Sequence, residues 1–534
     1  MGWIDKLKHP CCPHAFRQRA GSKFSVELRA GLTTFIAMAY IISTNALILT
    51  DSGGPCDCDR EKFGATCETD PAYATCLQEV KLDLITATCA ISCLACVLMG
   101  ALANLPIALA PGMGLNAYFA YTVVTYQNAV AAVCIEGIIF FVLSVIGLRQ
   151  WFARLIPLCL KTATAAGIGI YLAFIGLQSS AGIGLITGSP ATLVELGGCP
   201  PEFRDKNNLC TSHHMQGGPT WLGIMGLMVI GTLLLYRLKG AILIGIVLVA
   251  IISWPRPTSV TYFPYTEAGK RRVVAFHPIK HTLSSYHWDL SSGEIWIALI
   301  TFLYVDILDC TGTMFSMAKF AGYMDDNTQD FEGSSMAFLV DSASIVGSAF
   351  GSSPVTAFIE SGAGIAEGGK TGITTMITGL MFFISLFFAP IFASFPPWAT
   401  GPALITVGSM MMRNVISINW NYVGDGLPAF ITIIMIPFGY SIGYGLIAGI
   451  GSFIFINSAV WILHKVSGGR ICPPNFNERD NWVEFVTRGG FKSNIPPWIM
   501  RLFGKQPVSL APHHDVGSEN ELKEIAIENS KSIH

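Results

Sequence analysis

Apolar runs almost free of Lys and Arg recur along this chain, at residues 82–103, 219–236, 240–253, 372–395 and 427–464. A helix needs about 20 mostly apolar residues to cross the hydrocarbon of a bilayer. Within lipid its backbone groups must be satisfied internally, so spanning helices are the expected form. Composition agrees. Of 534 residues 51% are hydrophobic and 13% charged, with a mean hydropathy of +0.52. Average soluble chains carry about 25% charged residues. A net charge of -2 says nothing about nucleic-acid or acidic partners, and none is expected. The expected partner surface is the lipid bilayer.

The first 27 residues hold neither an apolar h-region nor a small-residue cleavage site, so Leu28–Thr50 is expected as a retained first span. Fourteen spans are predicted, beginning near residues 28, 82, 105, 129, 162, 219, 240, 294, 335, 352, 372, 399, 427 and 443. They divide the chain into a cytoplasmic N-terminus (1–27), a first seven-span half (28–253), an extracellular loop (254–293), a second seven-span half (294–464) and a cytoplasmic tail (465–534). With both termini inside, most Lys and Arg fall on the cytoplasmic side, as the positive-inside rule asks. The loop at 254–292 dissents, with Arg256, Lys270, Arg271, Arg272 and Lys280. Two outer loops carry even numbers of cysteines: Cys56, Cys58, Cys67 and Cys76 in one, Cys199 and Cys210 in the other. Disulfides are expected there, with connectivity open. Cys11 and Cys12 lie near the inner face, where palmitoylation competes with the plainer reading of unmodified thiols. The polar tail after residue 466 has one amphipathic stretch, Trp482–Phe503, and its last residues read as disordered.

Two segments cannot be ordinary spanning helices. In NLPIALAPGMGLNAYFA, residues 104–120, Pro106 and Pro111 lack amide donors and push their predecessors towards extended backbone. Gly112 and Gly114 permit shapes that other residues resist, and a helical pattern resumes over Leu115 to Val124. In SAFGSSPVTAFIESGAGIAEGG, residues 348–369, small residues and Pro354 precede a helical pattern starting near Phe358. The interruptions fall in the third and tenth spans, the same place in two halves of seven. That correspondence is the pointer to inverted repeats with a binding site at the crossing of two half-helices. Each half-helix would bring free amides and partial positive charge to the membrane interior. A pair of proline kinks in continuous helices is the competing reading.

Ionisable residues inside apolar spans cost about 2.5–3.5 kcal/mol on insertion scales and need a reason. Here they are acidic: Glu136, Asp306, Asp309, Asp341, Glu360 and Asp425, with no Lys or Arg in the same spans. Asp306 and Asp309 are three apart and share a helical face. A buried carboxylate either takes a proton or accepts strong hydrogen bonds. The first suits proton coupling, with Asp306, Asp309 and Asp341 as candidates. The second suits recognition of N–H groups on a heterocycle, with Glu360 and Asp306 as candidates. For Asp341, Asp425 and Glu136, a role in capping helix ends has equal weight. The acidic bias argues against an anion carrier, which would place Arg or Lys at its site. Phe35, Tyr118, Phe119 and Phe358 lie near the interruptions and could stack on a flat solute. No HExxH, GxSxG or paired Ser/His motif supports an enzyme, and no cofactor or metal is expected. His277, His281 and His287, like His213 and His214, sit in outer loops, where solvated side chains are the expectation.

The strings FIAMAYIISTN, APGMGLNAYFAY, DILDCTGT, SSPVTAFIESGAGIAEGGKTG and DGLPAFITIIMIPFGYSI resemble the azaguanine-type purine permeases, the hypoxanthine–adenine–guanine transporters. These belong to the wider nucleobase–ascorbate and uracil permease superfamily, and the resemblance runs from about residue 24 to 464. It implies an all-α fold of fourteen spans in two inverted repeats. Spans one to four and eight to eleven would form a core, and the remaining six a gate. Purine uptake would follow by proton symport with elevator-like motion at the plasma membrane. Glu360 matches the family's substrate-binding glutamate, and Asp306 the acid of the eighth span. Asn116 and Asp425 match positions important for transport, and Ile359 and Ser361 would offer backbone amides to the substrate. Related uracil carriers have His four residues after the acid of the eighth span. This chain has Cys310, which makes Asp309 a rival coupling residue. An anion exchanger or channel of the same fold is the alternative. Preferred purine, stoichiometry and oligomeric state, a homodimer among the options, stay open.

Overall fold

The computed structural model describes residues 19, 22–56, 71–121, 125–146, 157–178, 182–189, 193–204, 210–255, 274–288, 293–325, 330–331, 333–468 and 473–479. Among the described residues, eight helical stretches are long and apolar enough to cross a membrane: 24–50, 72–103, 126–146, 158–177, 218–235, 295–318, 372–393 and 442–466. Shorter apolar helices occupy 241–253, 336–349 and 423–438. Many outward side chains are large and apolar, among them Leu235, Phe438, Phe455 and Val466, each more than three-quarters exposed. A water-facing surface of that kind would be unstable; against lipid it is the expected finish. The protein is a mostly helical, multi-pass membrane type.

In chain order, α1 (Phe24–Met38) and α2 (Ile41–Thr50) are followed by α3 (Pro71–Leu98). Then come β1 (Leu109–Pro111), α4 (Met113–Tyr121), α5 (Tyr126–Ile146) and α6 (Leu158–Leu177). The hairpin β2 (Ile186–Ser189) and β3 (Leu193–Leu196) precedes α7 (Gly218–Leu235) and α8 (Ala241–Ser253). The long α9 (Gly293–Phe320) leads through the short pair β4 (Met324–Asp325) and β5 (Asp330–Phe331) to α10 (Ser334–Asp341) and α11 (Ser344–Ala349). The chain closes with β6 (Val355–Ala357), α12 (Ser361–Ala366), α13 (Gly372–Ser385), α14 (Ala389–Ala393), α15 (Pro397–Met411), α16 (Val423–Phe438) and α17 (Ile442–Val466). Packing is heaviest within two sets. In one, α1 lies on α12 and α13, α3 on α2 and α13, and α5 on α9 and α11. In the other, α6 lies on α15 and α16, α7 on α8 and α15, and α16 on α17.

Local chemistry explains several of these elements. Glu27, 1% exposed, reaches from α1 to the start of α13. Its carboxylate accepts from Lys370 N at 3.2 Å, Thr371 N at 3.3 Å and Thr374 Oγ1 at 2.5 Å. Helix starts leave their first amides unpaired, and an anion there is favourable. Asn104, in the left-handed conformation at φ 55, adds its Oδ1 to Gly372 N at 2.9 Å. Backbones touch at this point: a Cβ on Gly372 would lie 2.0 Å from the Gly100 carbonyl oxygen, so only glycine fits.

The first span, expected at Leu28–Thr50, runs over 24–50 with a turn at Ala39–Tyr40 between α1 and α2. Ser43 Oγ and Thr44 Oγ1 both donate to the Tyr40 carbonyl, at 3.0 Å each. Such side chains compete with the helical ladder and bend it. His277 is a correction, since it is not solvated. Its Nε2 bonds Asp83 Oδ1 at 2.8 Å, while Asp83 Oδ2 accepts from Lys280 N and His281 N at 2.9 and 2.6 Å. Disulfides join Cys56 to Cys76 and Cys199 to Cys210. Cys11, Cys12, Cys58, Cys67, Arg256, Lys270 to Arg272 and the stretch 482–503 lie outside the described residues.

Candidate functional site

Neither interrupted segment is a continuous helix, and the two meet. Strands β1 and β6 pair antiparallel, Leu109 opposite Ala357, Ala110 opposite Thr356 and Pro111 opposite Val355. Flanking bonds run from Gly112 N to Pro354 O at 2.9 Å and from Phe358 N to Ala108 O at 3.0 Å. Side chains take up further groups: Ala108 N donates to Ser361 Oγ and Val355 N to Ser344 Oγ, at 2.9 and 2.8 Å. Extended backbone inside a membrane protein survives only where protein satisfies it. Here each segment supplies the partners the other lacks.

The second segment then turns into α12, and Glu360 stands immediately before it. The carboxylate is half-buried and accepts from Tyr40 Oη at 2.8 Å, on Oε1. Asp309, also half-buried, accepts from Thr356 Oγ1 at 3.3 Å and is an electrostatic neighbour of Glu360. Among the described residues no Lys or Arg pairs with either acid. Charge here is therefore available for neutral N–H donors.

The other expected residues are placed differently. Asp306, a turn before Asp309 on α9, is fully buried and lies against Glu136 of α5. No hydroxyl or amide among the described residues donates to any of their four oxygens. Asp341, at the end of α10 and fully buried, shares the field of Glu136. Asn116 is buried and takes the Ser353 hydroxyl on its Oδ1. Tyr118 packs edge-on against Phe302 of α9, centroids 5.1 Å apart, and Phe358 is 6% exposed. Phe35 packs edge-on against Phe382 at 5.2 Å, so its ring belongs to the α1–α13 contact. Ile359 is 53% exposed. The Ser361 N–H donates to Phe358 O at 3.2 Å, closing the turn. Asp425 opens α16 and accepts from Asn419 Nδ2 at 3.2 Å, in a different neighbourhood. Tyr40 was not singled out from sequence. The serine and threonine three and four residues after it were the available signal, and a weak one.

Paired interruptions, acids inside the bundle and an apolar exterior fit the class of membrane transporters. Residues 71–447 match the Xan_ur_permease model, described as Permease family. A protein of Aspergillus versicolor named efflux pump notK' is 55% identical over 504 residues, covering 91% of this chain and 87% of that one. The guanine/hypoxanthine permease PbuG of Bacillus subtilis is 34% identical over 450 residues, covering 82% and 90%. Among solved structures, the transmembrane domain of the cyanobacterial bicarbonate transporter BicA superposes with a TM-score of 0.53 at 14% identity, covering 81% of this chain and 98% of that one. That likeness concerns the fold alone. The chain belongs to the nucleobase permease family, with purine permeases among its relatives.

Proposed function

We propose that this protein carries purine nucleobases, adenine, guanine and hypoxanthine among them, across the plasma membrane by proton symport. The observation that carries the reading is Glu360, a half-buried carboxylate with no cationic partner among the described residues, at the crossing of two interrupted segments. A purine presents N–H donors along one edge of a neutral plane, which suits that charge. Glu360 accepts those groups, with Asp309 beside it. Phe358, Tyr118, Asn116, Ile359 and Ser361 shape the surroundings, and Phe35 acts through packing. Asp306 and Asp341 handle the proton together with Glu136; Glu136 and Asp306 lie sealed against each other with no hydroxyl or amide donor among the described residues, a setting in which a carboxyl is held most cheaply when it carries one. Asp425 acts at a distance, within the second helix set.

The two packing sets correspond to a core and a gate. The chain is read as fourteen spans in inverted halves, 28–253 and 294–464, with both termini cytoplasmic. The core set slides against the gate set, exposing the site alternately. A homodimer is compatible with this motion. The name of the relative at 55% identity, an efflux pump, supports a second reading, outward transport through the same site.

The test is uptake of labelled hypoxanthine, guanine and adenine in cells lacking their own carriers, with and without a proton ionophore. Glu360→Gln is expected to lower uptake at least tenfold, and the ionophore to remove accumulation. Absent flux in the wild type, or wild-type rate and affinity in the variant, would overturn the proposal. Efflux from preloaded cells decides the direction.

A further inference from the structure

Tyr40 has none of the roles assigned above, yet it is the side chain that holds Glu360. Its hydroxyl donates to Glu360 Oε1 at 2.8 Å across 320 residues of sequence. The tyrosine is fully buried, while the carboxylate it holds is half-buried. A phenol is a donor at neutral pH, and a carboxylate has about four acceptor positions on two oxygens. One bond from Tyr40 therefore orients the group without exhausting it.

The position of Tyr40 is itself fixed. It sits in the break between α1 and α2, where its carbonyl accepts from Ser43 Oγ and Thr44 Oγ1 and from the amides of both residues. The helix before it is pressed on α12: a Cβ on Gly364 would lie 2.1 Å from Thr34 Oγ1 and 2.8 Å from Ala30 O. Tyr40 and Glu360 are thus mounted on two elements with no slack between them. A glutamate has three rotatable side-chain bonds, and a free one would lose entropy on engaging a ligand.

We infer that Tyr40 is the positioning residue of the substrate site: it pins one oxygen of Glu360 so that the carboxylate meets the N–H edge of a planar heterocycle in a fixed direction. The inference rests on the purine-carrier reading. It makes Tyr40 a determinant of selectivity among purines that differ at a ring N–H.

The experiment is Tyr40→Phe, which keeps the ring and removes only the hydroxyl. Surface amount, KM and Vmax for hypoxanthine are measured, together with competition by hypoxanthine methylated at one ring nitrogen. KM is expected to rise about tenfold with Vmax within about twofold, and discrimination against the methylated purine to narrow by a similar factor. A role in folding alone would lower surface amount and Vmax with KM and discrimination intact, which would overturn the inference. If the variant does not reach the surface, hypoxanthine affinity is read from the ligand-induced rise in Tm of solubilised protein. Wild-type affinity there overturns the inference, and a tenfold weakening supports it. Wild-type protein that takes up no purine overturns the carrier reading as well. Purine uptake in the wild type with Y40F unchanged overturns the role of Tyr40 alone.

Discussion

Two groups of carboxylates occupy neighbouring positions in the same helix set and are treated in opposite ways. Glu360 and Asp309 are half-buried, and each accepts from a hydroxyl, Tyr40 at 2.8 Å and Thr356 at 3.3 Å. Glu136 and Asp306 are sealed, and no hydroxyl or amide among the described residues donates to them. One turn of α9 separates Asp306 from Asp309, so helical position does not decide which group an acid joins. The neighbouring helices do. Glu27 and Asp83 calibrate the comparison, because both are sealed and both are saturated with donors. That is how a structural acid is built: its charge is matched by amides at a helix start or a loop. Glu136 and Asp306 lack that provision and meet each other instead, which under the proposed symport makes them the pair to test for the proton. Environments that separate the behaviour of nearby acids are a common way to divide labour in one site.

The comparison breaks most visibly at Asp306. Asp306→Asn keeps the shape and removes the exchangeable proton. Uptake is expected to fall at least tenfold and to lose its dependence on external pH, with hypoxanthine affinity within about threefold of wild type. Initial rates from pH 5 to 8, set against competition binding, check this. A variant that retains the wild-type pH profile would remove Asp306 from the proton path and leave the sealed group without a function.

A smaller effect is expected in the open group. Thr356→Val removes the hydroxyl donor of Asp309 and leaves a half-buried acid. Losing one long hydrogen bond to such a group is worth about 1 kcal/mol or less. KM for hypoxanthine should rise about threefold, and the pH profile should keep its shape. A lost pH dependence would instead move Asp309 into the proton path and merge the two groups.

Much of this arrangement could be read from residues alone, because its signals are local. Pro106, Pro111 and Pro354 with their glycines mark the interruptions, and Glu360 stands out by its place beside one of them. The helix at the second interruption is shorter than the pattern suggested, six residues from Ser361, because the strand takes Val355–Ala357 first. The strand itself was not legible, since its pairing partner lies about 250 residues away. The same limit hid Tyr40, whose bond to Glu360 spans the chain. Spacing placed Asp306 and Asp309 on one face, correctly for a helix, but which neighbour each meets is a tertiary matter. Glu27 fell in a stretch expected to be an N-terminal segment outside the membrane, and nothing in it announced a cap for a helix near residue 372.

Glu27 also yields the sharpest control, because its donors are structural and its transport role should be nil. Thr374→Val deletes the 2.5 Å hydroxyl bond to Glu27 Oε2 and leaves Thr371 N and Lys370 N in place. A hydrogen bond to a buried charged group contributes about 1.5–3 kcal/mol, part of which the remaining amides recover. The expected outcome is a lower thermal midpoint of the solubilised protein, with KM and pH profile within twofold of wild type. The opposite pattern, an unchanged midpoint with an altered pH profile, would mean that a saturated acid can still exchange its proton during transport. In that event donor count would no longer separate structural from working carboxylates in this bundle, and the assignment of Glu136 and Asp306 would lose its basis.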